Sequence, residues 1–232
     1  MKSEKITESR RSEAKRRYDD ACAATHGMDI IGERWALPVM RELMLGPRRF
    51  SELRRSLPAL SANVLTQRLE GLEAAGIVRR EKLPPPASVQ VYGLTPWGQE
   101  AGPVFQALGR WAARSPAHDP TRPFSAVSLM LSLRTMFSAE RAGDLSLSAG
   151  FRFGEDQFRF TLERGQVVIG RGLPDAPDFV LGGTTQGVAA LVYAGAPADA
   201  LERDGMLTIE GDRDALARFA TLFPPPTRVP SK

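Results

Sequence analysis

The sequence predicts an α+β protein built as two domains. Three observations carry this. Apolar residues at helical spacing dominate the first half, a proline-rich stretch breaks the middle, and strand-like segments followed by helices fill the second half. With 232 residues the chain can bury two modest cores. The expected boundaries are 1–114 for the first domain, 115–123 for a linker, 124–223 for the second domain and 224–232 for a tail that is expected to fray.

Composition narrows the class. An apolar content of 42% and a charged content of 25% are ordinary for a soluble globular chain. No stretch approaches the roughly 20 apolar residues that span a bilayer, so membrane insertion is not expected. The opening "MKSEKITESRRSEAKRRYDD" lacks the apolar centre of a signal peptide, so a cytoplasmic protein is expected. One cysteine, Cys22, excludes an internal disulfide and a cysteine-rich metal cage. Residues 1–118 carry 19 Lys and Arg against 13 Asp and Glu, whereas the remainder carries 12 against 14. The basic excess of the first half suits a polyanionic partner.

In the first domain, "RWALPVMRELMLGPRRFSELRRSLP" reads as two helices. The first covers about 34–45, with Pro38 near its first turn, where proline does least harm, and Gly46-Pro47 ending it. Ser51 opens a short second helix that stops at Pro58. After a tight turn comes "LSANVLTQRLEGLEAAGIVRRE", residues 60–81. Ser61 can cap a helix over 61–75 by accepting a bond from a first-turn N–H. Ala62, Leu65, Leu69 and Leu72 form its apolar face, and Gly76 suits its C-terminal stop. Residues 77–82 and 89–95 read as two strands joined by the turn "LPPPAS". Helix, tight turn, helix and hairpin together make a winged helix, whose second helix enters a major groove.

Here a resemblance becomes specific. Gly32 with Trp35, "REL" at 41–43, "GPRRFSELRR" at 46–55, "LTQRLEGLEAAGIVRR" at 65–80 and "YGLTPWG" at 92–98 resemble the HxlR family of bacterial winged-helix transcription regulators in order and spacing. The similarity covers about residues 20–114 and implies a dimeric DNA-binding regulator. The proline-rich tip at Pro84–Pro86 departs from a commoner charged wing.

Individual roles follow from side-chain chemistry. Asn63, Thr66 and Gln67 are the candidates for base edges, because amides pair with adenine and a threonine methyl meets thymine. The other reading of this trio is a solvated helix face. Arg48, Arg49, Arg54, Arg55, Ser61, Arg68, Arg79, Arg80 and Lys82 are candidates for the DNA backbone, and some can instead pair with Glu52, Glu73 or Glu81. Arg68 either reaches a phosphate or braces the fold. The segment "TPWGQEAGPVFQALGRWAARS" can form a helix carrying Val104, Phe105, Leu108 and Trp111. In the resembled family the corresponding helix joins the subunits; burial within one subunit is the alternative. A twofold homodimer would present two reading helices to double-stranded DNA bearing an inverted repeat. Some members of that family carry a redox cysteine near Cys22, whose other reading is an inert core thiol.

Catalytic equipment is not visible. His26 and His118 are the only histidines, and no nucleophile–base motif or metal-ligand cluster appears, so neither a metal nor a cofactor is expected. "LGGTTQG" at 181–187 lacks the lysine and spacing of a phosphate loop and reads as a turn in which Thr184 caps a helix.

In the second half, 124–137 reads as an apolar helix, followed by strands near 145–153, 157–163, 166–171 and 178–182. Helices near 184–194 and 197–203, a strand near 206–210 and a helix near 213–222 complete it. Glu155-Asp156 and Arg164-Gly165 are expected in connections. The order of elements, with "APDFVLGGTTQGVAALVYAG" and "GMLTIEGDRDALARFATLF", resembles sterol-carrier-protein-like domains over about 100 residues. That resemblance implies a helix-covered sheet and a tunnel for a small apolar ligand. Phe124, Leu129, Leu133, Met136, Phe137, Phe151, Phe153, Phe158, Phe160 and Phe179 are the candidate lining; the alternative is a filled core. The expected function is therefore a dimeric, sequence-specific transcription regulator that represses by occluding a promoter and senses an apolar molecule. The alternatives are a lipid or sterol carrier whose winged helix mediates protein contacts, and an enzyme seated in the second domain.

Overall fold

The structure is a computed structural model that describes residues 18–84 and 88–230. The prolines Pro85 and Pro86 of the expected wing tip, and the charged opening through Arg17, lie outside the described residues. The chain divides into two compact units. The described part of the first falls within Met1–Met40 and Arg49–Gly98, and that of the second within Arg41–Arg48 and Gln99–Lys232.

The first unit contains α1 (Ala23–Ile31), the start of α2 (Ala36–Leu43), α3 (Phe50–Ser56) and α4 (Ala62–Ala74), then β1 (Val78–Lys82), β2 (Gln90–Leu94) and the short α5 (Pro96–Glu100). Ser61 caps α4 as its sequence position predicts, accepting from the Val64 N–H at 3.3 Å. At the other end Gly76 takes φ +74°, which lets the Ile77 N–H reach the Leu72 carbonyl and the Gly76 N–H reach that of Glu73. Helix α3 departs from expectation. Arg49 rather than Ser51 is its first half-helical residue, because the Glu52 carboxylate folds back onto the Arg49 N–H at 2.6 Å. Strands β1 and β2 pair antiparallel from Val78↔Leu94 to Lys82↔Gln90. Leu53, Leu60, Leu65, Leu69, Leu72, Val78 and Val91 are all buried.

The second unit is α+β. Helices α6 (Gly102–Ala112), α7 (Ala126–Met136) and α8 (Ala139–Ala142) precede β3 (Leu147–Phe153), β4 (Asp156–Glu163), β5 (Gln166–Arg171) and β6 (Phe179–Gly183). Then come α9 (Thr185–Ala194), α10 (Ala198–Arg203), β7 (Leu207–Gly211) and α11 (Arg213–Ala220). The sheet order is β5-β4-β3-β6-β7, with β3 and β6 parallel and the other neighbours antiparallel. Thr184 caps α9 by accepting from the Gly187 N–H at 3.0 Å. Arg164 and Gly165 both take positive φ in the β4–β5 turn. Asp156 does not lie in a connection: it starts β4, paired with Phe153, and Gly154 and Glu155 make the turn.

Two further differences have local causes. The expected helix through 95–115 is split at Ala101, where Pro103 sits in the first turn of a new helix, and α6 groups with the second unit rather than ending the first at 114. Helix α6 packs on α7, with Arg110 donating to the Thr135 carbonyl. The tail is not frayed through its described residues. The Val229 N–H donates to the Arg114 carbonyl at 2.9 Å, Arg114 donates to the Thr227 carbonyl, and Arg228 to that of His118.

Candidate nucleic-acid interface

Helix α4 is two-sided. Leu65, Leu69 and Leu72 are buried, while Asn63, Thr66 and Gln67 are exposed. Their spacing of three and four residues puts the three polar side chains on one face. All three carry side-chain hydrogen-bonding groups. Such a face can read base edges, which present donors, acceptors and a methyl group.

The cations around this face divide by their partners. Arg79 is 52% exposed and bonds Glu81 at 2.7 Å. Arg80 bonds Glu73 at 3.2 Å and lies 5.4 Å over the ring of Tyr92, its cross-strand neighbour. Arg68 pairs with Glu33 at 3.0 Å and is only 18% exposed, so it braces α4 against the α1–α2 connection. Arg49, Arg55 and Lys82 are exposed and Arg54 is half-buried. Exposed cations of this kind supply affinity through phosphates, whether or not a carboxylate shares them before DNA arrives.

Arg48 does not take the DNA-backbone role expected of it. The side chain is 2% exposed, with Asp156 at 3.1 Å and Glu42 at 3.6 Å. A guanidinium this deep is stabilised by its two carboxylates and cannot reach a phosphate. Arg48 and Arg49 are adjacent in sequence and alike in chemistry, so only the fold separates their roles.

On α6, Val104 is 51%, Leu108 40% and Trp111 72% exposed, and Phe105 is half-buried. Spacings of four and three put the first three on one apolar stripe facing outward. Burial of this face within one subunit is thereby contradicted.

Cys22 is exposed at the N-cap of α1. Backbone N–H groups of Thr25 and Ala24 hold its thiol below the usual cysteine value, by stabilising the thiolate. The core-residue reading of Cys22 does not hold.

The ten candidate pocket residues all belong to, or pack against, one apolar cluster. Leu129, Leu133, Phe151, Phe158, Phe160 and Phe179 are buried, and Phe124, Met136, Phe137 and Phe153 are partly so. Their hub is a residue the sequence reading passed over. Phe219 of α11 meets Phe160 at 5.2 Å, Phe179 at 5.3 Å, Phe151 at 5.9 Å and Phe223 at 4.8 Å. Edge-to-face and tilted contacts at these separations are those of a packed aromatic core. An open depression lined by Arg141, Asp144, Ser146 and Arg218 contains none of the ten. Among the described residues no group of three or more His, Cys, Asp or Glu could hold a metal ion, and no helix is long and apolar enough to cross a membrane.

Comparison with known proteins bears on the same stretch. The family profile for HxlR-like helix-turn-helix proteins matches residues 30–119. The HTH-type transcriptional regulator YvaP of Bacillus subtilis is 36% identical over 85 residues, 37% of this chain and 79% of YvaP. The HTH-type transcriptional regulator YodB of the same organism is 37% identical over 83 residues, 36% of this chain and 74% of YodB. The solved reduced form of YodB is similar over 41% of this chain and 94% of that one, with 33% identity and a TM-score of 0.38. Family and relatives alike are transcriptional regulators and not enzymes. With its capped helix, outward polar face and antiparallel wing, the chain belongs to the HxlR-like helix-turn-helix family of DNA-binding transcription regulators.

Proposed function

We propose that the protein acts in the cytoplasm as a homodimer that binds an inverted repeat in duplex DNA and represses transcription by occluding a promoter. One observation carries this reading: Asn63, Thr66 and Gln67 stand exposed on the face of α4 opposite its buried leucines. Asn63 and Gln67 pair with adenine edges and Thr66 meets a thymine methyl. Arg49, Arg54, Arg55, Arg79, Arg80 and Lys82 line the flanking phosphates, and Ser61 adds a hydroxyl at the helix start. The exposed stripe Val104, Leu108 and Trp111 is the subunit contact, since a contiguous apolar face on a helix calls for a partner. Twofold symmetry then sets two reading helices about one helical turn of DNA apart.

The direct test is selection from a pool of randomised duplexes by the full chain. Enrichment of an inverted repeat supports the reading. Retention of duplexes without any shared sequence refutes it.

The second domain we assign as sterol-carrier-protein-like, on its order of elements. Its phenylalanines favour a filled core over an open tunnel, so an apolar ligand would have to part Phe219 or Phe223 from their ring neighbours. Native mass spectrometry of freshly purified protein tests this: a co-purifying apolar molecule supports the sensor role, and a consistently empty protein supports a structural one.

A further inference from the structure

Residues 41–48 are the last turn of α2 and most of its connection to α3, two helices of the DNA-binding fold, yet they group with the second unit. Four attachments hold them there. The Ser125 hydroxyl donates to the Glu42 carboxylate at 2.6 Å. Leu45 is buried in the apolar cluster of the sheet and its helices. Gly46, at φ +116°, lies under the Arg171 side chain, whose Cδ would be 3.8 Å from a Cβ there. Arg48 bonds Asp156, which in turn accepts from Arg171 at 2.9 Å.

The charges form one chain, Arg41–Glu42–Arg48–Asp156–Arg171, with consecutive separations of 2.9, 3.6, 3.1 and 2.9 Å. Glu42 is fully buried and Arg48 nearly so. Buried ion pairs add little net stability, because desolvation offsets their attraction, whereas they fix geometry tightly. Some of the polar atoms, Oε2 of Glu42, Nη1 of Arg48 and two nitrogens of Arg171, have no hydrogen-bond partner among the described residues.

We propose that Asp156 and Arg171 are positioning residues for DNA binding. Strands β4 and β5 hold the α2–α3 connection through Arg48, and that connection runs directly into α3, the first helix of the helix-turn-helix. By reciprocity, DNA that favours one arrangement of the connection alters the cluster at β4 and β5. The proposal rests on the DNA-binding reading above and adds the second unit as its determinant.

The test uses the full chain and the duplex that the wild-type protein selects from a random pool. Asp156→Asn and Arg171→Met weaken binding within the roughly 5- to 150-fold range usual for coupled sites. The slope of log Kd against log salt stays at its wild-type value, since no phosphate contact is removed. Asp156→Asn adds little in an Arg48→Met background, because both break one link. Folded variants that bind as wild type, or losses that simply add, overturn the proposal. Should these variants fail to fold, hydrogen exchange of the wild-type protein decides: amides within 156–171 change protection when the selected duplex is added, and unchanged protection overturns the proposal. A wild-type protein that selects no duplex refutes the DNA-binding reading itself, and the proposal with it.

Discussion

The guanidinium of Arg48 lies 3.1 Å from a carboxylate oxygen of Asp156, 108 residues further along the chain. This pairing turns a residue that the local sequence presents as a phosphate contact into part of a buried charge chain. Removing one member leaves its partners without full compensation. Arg48→Met should therefore destabilise the fold by about 3 kcal/mol, at the low end for a broken buried pair, because Arg171 still reaches Asp156. Urea unfolding measures this. A change within error of zero, or a flattened salt dependence of DNA binding, would contradict the buried placement.

The wing cations should differ among themselves. Lys82 is exposed at the end of β1, whereas Arg80 is engaged by Glu73 and the Tyr92 ring. Lys82→Ala is expected to lower the magnitude of the salt slope of DNA binding by about 1, uniformly across sequences. Arg80→Ala should lower it less and cost some stability in the hairpin. Equal slopes for Lys82→Ala and wild type would remove Lys82 from the phosphate contacts.

The outward stripe on α6 predicts a subunit contact with Trp111, its most exposed member, as an anchor. An aromatic anchor of this kind contributes about 2 kcal/mol or more to association. Trp111→Asp should shift the protein from dimer to monomer in sedimentation at micromolar concentration, with its circular dichroism unchanged because the side chain is 72% exposed. A variant that still sediments as the wild-type dimer would place the contact elsewhere.

Cys22 supplies a pH-dependent test. Its thiol is held below the ordinary value by the Thr25 and Ala24 N–H groups, so the thiolate fraction at a given neutral pH exceeds that of an unstructured cysteine. The rate of alkylation by iodoacetamide should rise with pH about a midpoint below that of a short cysteine peptide, and vanish in Cys22→Ser. A midpoint equal to or above that of the peptide would show that α1 does not stabilise the thiolate.

Much of this was legible in the residues. Ser61, the leucines at helical spacing and Gly76 define α4 through short-range chemistry, and the structure places its ends within a residue of expectation. The strands of the second unit follow similarly from alternation and turn residues. Long-range partners were not legible. Nothing near Arg48 names Asp156, and nothing in "ALARFATLF" marks Phe219 as the ring that Phe151, Phe160 and Phe179 all meet. The tail likewise offers no local sign that Val229 will pair with the Arg114 carbonyl. Such roles depend on which distant element arrives, and periodicity carries no information about that.

The reading face of α4 is the centre of the account, and base preference tests it most directly. Wild-type protein and the Asn63→Ala, Gln67→Ala double variant would each be titrated against the selected duplex and against copies with single base-pair changes. The account predicts that the variant folds normally and loses about 1–3 kcal/mol of discrimination per lost amide contact at particular positions, while keeping its salt slope. An unaltered ranking of the duplexes by a folded variant would contradict it.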